Sequence, residues 1–227
     1  MTILLAIETS TEVASVALYT ELGIICRELS GVQTHSQGIL PAIRELLNEG
    51  HVSLSQCDGI AYGCGPGAFT GVRTACGIVQ GLAFGADLPI LPVVSLLAMA
   101  QAVPDPQTHG DYVCVLDARM GELYWAHYRY HENAWQQLSQ PALSTADQLR
   151  DYLDLHKVAL VLGNGVVLDV ESSITIHHKM PHAQHVVQLA LHDYVNGKQL
   201  TADQAQPLYL RNKIALTTAE RAALRPH

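Results

Sequence analysis

The sequence predicts an α/β protein of two related units, each a mixed sheet flanked by helices. Three observations predict this. A β-rich hairpin opens the chain, with residues 3–7 and 13–19 on either side of Glu8-Thr-Ser-Thr-Glu12. The pattern returns after residue 110, with strands at 112–116 and 122–130 around the turn Asp117-Ala-Arg-Met-Gly121. Strands alternate with helices after each hairpin, as parallel strands with crossover helices require. A duplicated hairpin-plus-αβ unit is the plan of the actin-like (ASKHA, ribonuclease H-like) fold, in which two domains flank a nucleotide cleft.

Each element has a local reason. Residues 24–29 read as a third strand. A helix follows over about 36–48, because Ile39, Leu40, Ile43, Leu46 and Leu47 fall on one helical face. Pro41 fits such a helix only near its first turn. Residues 58–62 are a short apolar strand. After them come the turn Gly65-Pro-Gly-Ala-Phe-Thr-Gly-Val-Arg73 and a small-residue helix over 70–86. Residues 88–94 form another buried strand, and Ser95 caps a helix to about 102. Residues 103–110 are polar and aperiodic, with Pro104 and Pro106, and read as the linker between domains at 1–103 and 110–227. The second domain continues with a helix at 145–155, a strand at 158–162, a Gly163-Asn-Gly165 turn and a helix over 183–196. Its C-terminal helix is expected to pack back on the first domain. The tail from residue 212 has a helical tendency at 217–224.

Composition bounds the function. A chain of 227 residues with 48% hydrophobic content can bury a sizeable core in one large or two small domains. A net charge of −8 argues against direct, high-affinity nucleic-acid binding, which phosphate neutralisation drives. The five cysteines, at 26, 57, 64, 76 and 114, form no Cys-x-x-Cys pair, so a reducing compartment is expected. The N-terminus has no basic segment and meets Glu8 too early for a signal peptide. The most apolar region, 81–100, is broken by Asp87, Pro89 and Pro92, so no membrane span is expected. These features predict a cytoplasmic protein.

The glycine turn at 65–73 lies where α/β proteins hold phosphates, between a strand and a helix N-terminus. Glu8, Thr9, Ser10, Gly65, Gly67 and Asp117 are therefore the candidate phosphate-loop residues, with Gly163-Asn-Gly165 on the adenosine side. The same glycines also serve a strained turn that packs a helix tightly on a sheet. No Lys-Ser or Lys-Thr follows them, which excludes a P-loop. Gly63-x-Gly65-x-x-Ala68 imitates a dinucleotide fingerprint, but Asp87 precedes the next strand instead of ending it. Gly77, Gly81 and Gly85, with Thr74 nearby, line one helical face. That face either packs on the sheet or meets another subunit. His177, His178, His182 and His185 suggest a metal site, but Pro181 argues against the helix it would need. No Gly-x-Ser-x-Gly and no activated cysteine points to a nucleophile. On these grounds no catalytic residue and no metal ligand is assigned.

Six motifs resemble one bacterial family in order from about residue 3 to 211. They are Ile7-Glu-Thr-Ser-Thr11, His35-Ser-Gln-Gly-Ile-Leu-Pro41, the 65–73 block, Val94-Ser-Leu-Leu97, Asp117-Ala-Arg119 and Pro207-Leu-Tyr-Leu-Arg211. Together they are similar to the TsaB (YeaZ) family; the 65–73 block departs only at Ala68, where serine is common. The resemblance implies a non-catalytic scaffold that binds TsaD, with TsaE, in the making of threonylcarbamoyladenosine in tRNA, with tRNA reached only through that complex. It also implies a homodimer when alone, and no cofactor beyond weak ATP or ADP binding. The partner surface would come from the two N-terminal helices, at Ile39, Ile43, Thr74, Gly77, Gly81 and Gly85. By the resemblance, the metal-binding histidines of the TsaD paralogue correspond to Leu96 and Ala100, which cannot ligate. The Glu8 and Asp117 turns also lack the Asp-x-Gly of working kinases of this fold. The alternative is an active small-molecule kinase or ATPase, for which Glu8 and Asp117 are the only candidate bases from the turns.

Overall fold

A computed structural model describes residues 2–29, 35–104, 110–163 and 174–211. The first sheet contains β1 (Leu4–Glu8), β2 (Ala14–Thr20), β3 (Gly23–Leu29), β4 (Gly59–Gly65) and β5 (Ile90–Val94). Its order is β3-β2-β1-β4-β5, an antiparallel meander to which β4 and β5 add in parallel. The second sheet contains β6 (Asp111–Arg119), β7 (Glu122–His131), β8 (Ala134–Gln137), β9 (Ala142–Thr145), β10 (Leu160–Gly163) and β11 (Thr175–His178). Its order is β11-β10-β6-β7-β8, with β9 also paired on β7. Setting β6 against β1 and β10 against β4 makes the two orders coincide. This is the actin-like, ribonuclease H-like duplication expected from the two hairpins.

The helices are α1 (His35–Glu49), α2 (Phe69–Ala86), α3 (Ser95–Gln101), α4 (Ala146–His156) and α5 (Ala183–Val195). The central strand β1 is buried on both faces, so its residues alternate between two cores. Leu5 and Ile7 pack with α1 and α2, and Leu4 and Ala6 pack with α5. In the second sheet, Cys114 and Leu116 face α3, while Val113 and Val115 face α4. Helix α3 thus covers the second sheet, and α5, from the far end of the chain, covers the first. Leu200 bridges to Ile90, and Leu208 N–H donates to Cys64 O at 2.7 Å. The spatial division therefore does not follow the chain at residues 103–110: residues 183–208 lie with the first sheet.

Several expectations need correction. Ile39 and Ile43 are buried in the core under α1, so they cannot belong to an open partner face. The apolar periodicity that predicted the helix is the face that binds the sheet. Pro41 falls in the second turn of α1, on its exposed side. Ser95 does not cap α3; Val94 occupies that position and the Ser95 hydroxyl turns to Glu8. Strand β4 runs on to Gly65, and Gly163 ends β10. The short strands β8, β9 and β11 were not expected, because segments of four residues carry too little alternation to stand out. Asn164, Gly165 and the tail from 212 lie outside the described residues.

Candidate functional site

The hairpin turns of the two sheets face each other across a cleft of about 810 Å³. Ser10, Thr11 and Glu12 line it from the β1–β2 turn, and Asp117, Ala118 and Arg119 from the β6–β7 turn. The start of α2 forms its floor, and residues 208–211 form one wall.

The glycine turn reaches this cleft, but its close approach is to the chain itself. A Cβ on Gly67 would stand 2.3 Å from Ser10 O, and one on Gly71 would stand 1.9 Å from Thr9 O. Gly65 has φ +104°, a conformation that favours glycine. The contact is hydrogen-bonded as well as close. Ala68 N–H donates to Ser10 O at 2.6 Å, and the Thr9 hydroxyl donates to Gly71 O at 2.7 Å. The amide just ahead of α2, where an anion would be held, is occupied by a backbone carbonyl. The tight-packing role of these glycines therefore carries the local structure.

The two candidate bases are similarly engaged. Glu8 is fully buried and absent from the cleft wall. Its carboxylate accepts from Ser10 N–H at 2.6 Å and from the Ser95 hydroxyl at 2.9 Å. Burial pushes its pKa up, against the hydrogen bonds from Ser10, Ser95 and Thr9. Asp117 is exposed and folds back on its own turn, accepting from Arg119 N–H at 2.7 Å and pairing with the Arg119 guanidinium at 3.0 Å. Glu8 is thus outside the cleft lining, and Asp117 lines the cleft with its carboxylate paired to Arg119. Burial pushes the Cys64 thiol up to about 12 and Cys57 up to about 11, so neither is a nucleophile near neutral pH.

The second candidate region is the outer face of α2. Val72, Ala75, Cys76, Val79 and Ala83 are buried against the sheet. Gly77, Gly81 and Gly85 lie on the opposite side, and among the described residues nothing beyond the helix's own backbone comes within 4 Å of a Cβ placed on any of them. Phe84 stands among them 84% exposed. Thr74 is half-buried at the cleft rim, donating to Thr70 O at 2.9 Å. Among the described residues, therefore, nothing packs on the glycine face.

The histidines do not share a helix. His177 and His178 are exposed on β11, while His182 caps α5 by accepting Gln184 N–H at 3.0 Å. No group of three metal-ligating side chains occurs among the described residues. Sequence reasoning missed a buried network under α4. His127 Nδ1 lies 3.0 Å from the Tyr152 hydroxyl, and Nε2 lies 3.6 Å from Asp111, which Arg129 grips. Asp111 begins β6, roughly 20 Å of strand from Asp117, so this network is far from the cleft. Phe84 was also missed, although it follows Gly77 and Gly81 at helical spacing.

Comparison with known proteins fits this geometry. The model of the TsaD family, tRNA N6-adenosine threonylcarbamoyltransferase, matches residues 11–161. The tRNA threonylcarbamoyladenosine biosynthesis protein TsaB of Escherichia coli is 35% identical over 93% of this chain and 96% of its own length. The chain belongs to the TsaB (YeaZ) family. The TsaB of Haemophilus influenzae is 36% identical over 93% of this chain and 94% of its own. The solved structure of YeaZ from Pseudomonas aeruginosa has a TM-score of 0.82 and 36% identity, covering 92% of this chain and all of that one. The TsaB relatives and this chain share the two-sheet architecture, and here Glu8 is buried outside the cleft lining while Asp117 pairs with Arg119. No helix among the described residues is long and apolar enough to cross a membrane.

Proposed function

We propose that this chain is a non-catalytic scaffold subunit in the biosynthesis of threonylcarbamoyladenosine in tRNA. It binds TsaD, together with TsaE, and supports transfer of the threonylcarbamoyl group from threonylcarbamoyl-AMP to the adenosine beside the anticodon. The observation that carries this reading is the outer face of α2: three glycines on which nothing packs among the described residues, and an exposed phenylalanine. Small residues let another backbone approach closely, and an exposed aromatic ring supplies an anchor for a partner's pocket. Leu96 and Ala100, at the positions of the paralogue's metal-binding histidines, are fully buried against the second sheet, which supports leaving the chemistry to TsaD.

The net charge of −8 supports contact with tRNA only through the complex. Alone, the chain is proposed to form a homodimer through the same α2 face, in competition with TsaD, in the cytoplasm. Threonylcarbamoyl transfer by purified TsaD and TsaE, with and without this chain, tests the reading. Product only on its addition is expected; equal product without it refutes the scaffold role. Gly81→Leu locates the surface, because the space around Gly81 lets the monomer fold normally. Loss of copurification with TsaD is expected, and unimpaired copurification would remove α2 from the interface.

A further inference from the structure

We propose that residues 206–211 form a strap that holds the two halves of the molecule closed around the cleft, with Arg211 as its latch. The segment crosses from one half to the other within six residues, and each part has an identified anchor. Gln206 N–H donates to the buried Tyr62 hydroxyl at 3.0 Å, and that hydroxyl lies 3.2 Å from Gln206 O. Leu208 N–H donates to Cys64 O at 2.7 Å, fixing the strap to the end of β4. Tyr209 then stacks on Phe69 with ring centroids 5.8 Å apart, and its hydroxyl accepts from Arg73. The Arg73 guanidinium lies 3.6 Å above the Phe69 ring, so the start of α2 clasps the strap. At the far end Arg211 donates to the Glu122 carboxylate and, at 3.2 Å, to Arg119 O on the β6–β7 turn.

The mechanical consequence follows from where the halves otherwise touch. Helix α3 packs against both sheets and meets α5, forming a hinge at the back of the cleft. The strap closes the front, and its residues 208–211 are themselves cleft wall. The Arg211 side chain is only 17% exposed, so its ion pair is less screened than a surface pair. Arg73 precedes Gly77 by one helical turn on α2. Anything that engages that region of the helix therefore sits next to the clasp on Tyr209.

Spin-label distances across the full chain test this. Glu45 on α1 and Asp151 on α4 are exposed and lie on the outer faces of the two halves, so their separation reports the angle between halves. Both are replaced by cysteine and labelled in a Cys26→Ser background, because Cys26 is partly exposed. Diluted into an excess of unlabelled chain, so that only distances within one copy are read, the parent should give one narrow distribution. Arg211→Ala and the milder Glu122→Gln should each broaden it and shift it to longer distances. Amide exchange over residues 206–210 should rise roughly tenfold in both, as expected from losing a hydrogen bond to a charged group. A distribution identical to the parent's in folded Glu122→Gln and Arg211→Ala overturns the proposal. Should Arg211→Ala fail to fold, Glu122→Gln decides alone.

Discussion

Replacing Gly71 and Gly77 separately by alanine should move stability in opposite directions, although both glycines lie in α2. At Gly71 the new Cβ would stand 1.9 Å from Thr9 O and 3.0 Å from Thr9 C, both backbone atoms that cannot rotate away. Relief requires separating the β1–β2 turn from the start of α2. That separation strains the 2.7 Å bond from Thr9 to Gly71 O and the 2.6 Å bond from Ala68 N–H to Ser10 O. Overpacking costs about 1–3 kcal/mol, and a buried partner left unsatisfied costs about 1–3 kcal/mol more. The helical advantage of alanine returns at most about 1 kcal/mol. Gly71→Ala should therefore destabilise by about 1–5 kcal/mol. At Gly77 none of the other described residues comes within 4 Å of the new Cβ, so propensity decides, and Gly77→Ala should stabilise by about 0.5–1 kcal/mol. Urea unfolding of the isolated chain measures both. Equal signs, or a loss below about 1 kcal/mol at Gly71, would refute the claim that the glycine turn is shaped by its own neighbouring turn.

Three further outcomes are expected. Glu8→Gln should flatten one pH dependence: Glu8 is raised in the folded state, so its ionisation destabilises the protein as pH rises above 4.5, and the variant should lack that loss in melts from pH 4 to 8. His182 behaves oppositely, because burial depresses its pKa and its Nδ1 must stay unprotonated to cap α5. The unfolded chain takes up the proton first, so stability falls as pH drops below 6.5, and His182→Asn, a non-titrating cap, should narrow the gap between urea midpoints at pH 7 and pH 5. Leu96→Ala should cost about 2–5 kcal/mol in urea unfolding, because Leu96 is fully buried between α3 and the second sheet; a neutral result would place it outside the core.

The sequence by itself determined the duplicated architecture, because hairpin alternation and helical periodicity are local signals that burial then obeys. It also located both turns of the cleft, α2 and its glycine face. What only the tertiary structure decided concerns direction and partnership. Ile39 and Ile43 looked like surface candidates, yet an apolar helical stripe faces whatever sheet lies beneath it, and here that is the chain's own. The glycines at 67 and 71 fit a phosphate or a neighbouring turn equally well in sequence; the carbonyls of Ser10 and Thr9 fill the space. Ser95 looked like a cap until its hydroxyl proved to serve Glu8, eighty-seven residues away in the chain. Residues 206–211 carry no periodicity at all. Their role rests on Tyr62, Cys64, Arg73 and Glu122, residues brought together only when both sheets have formed.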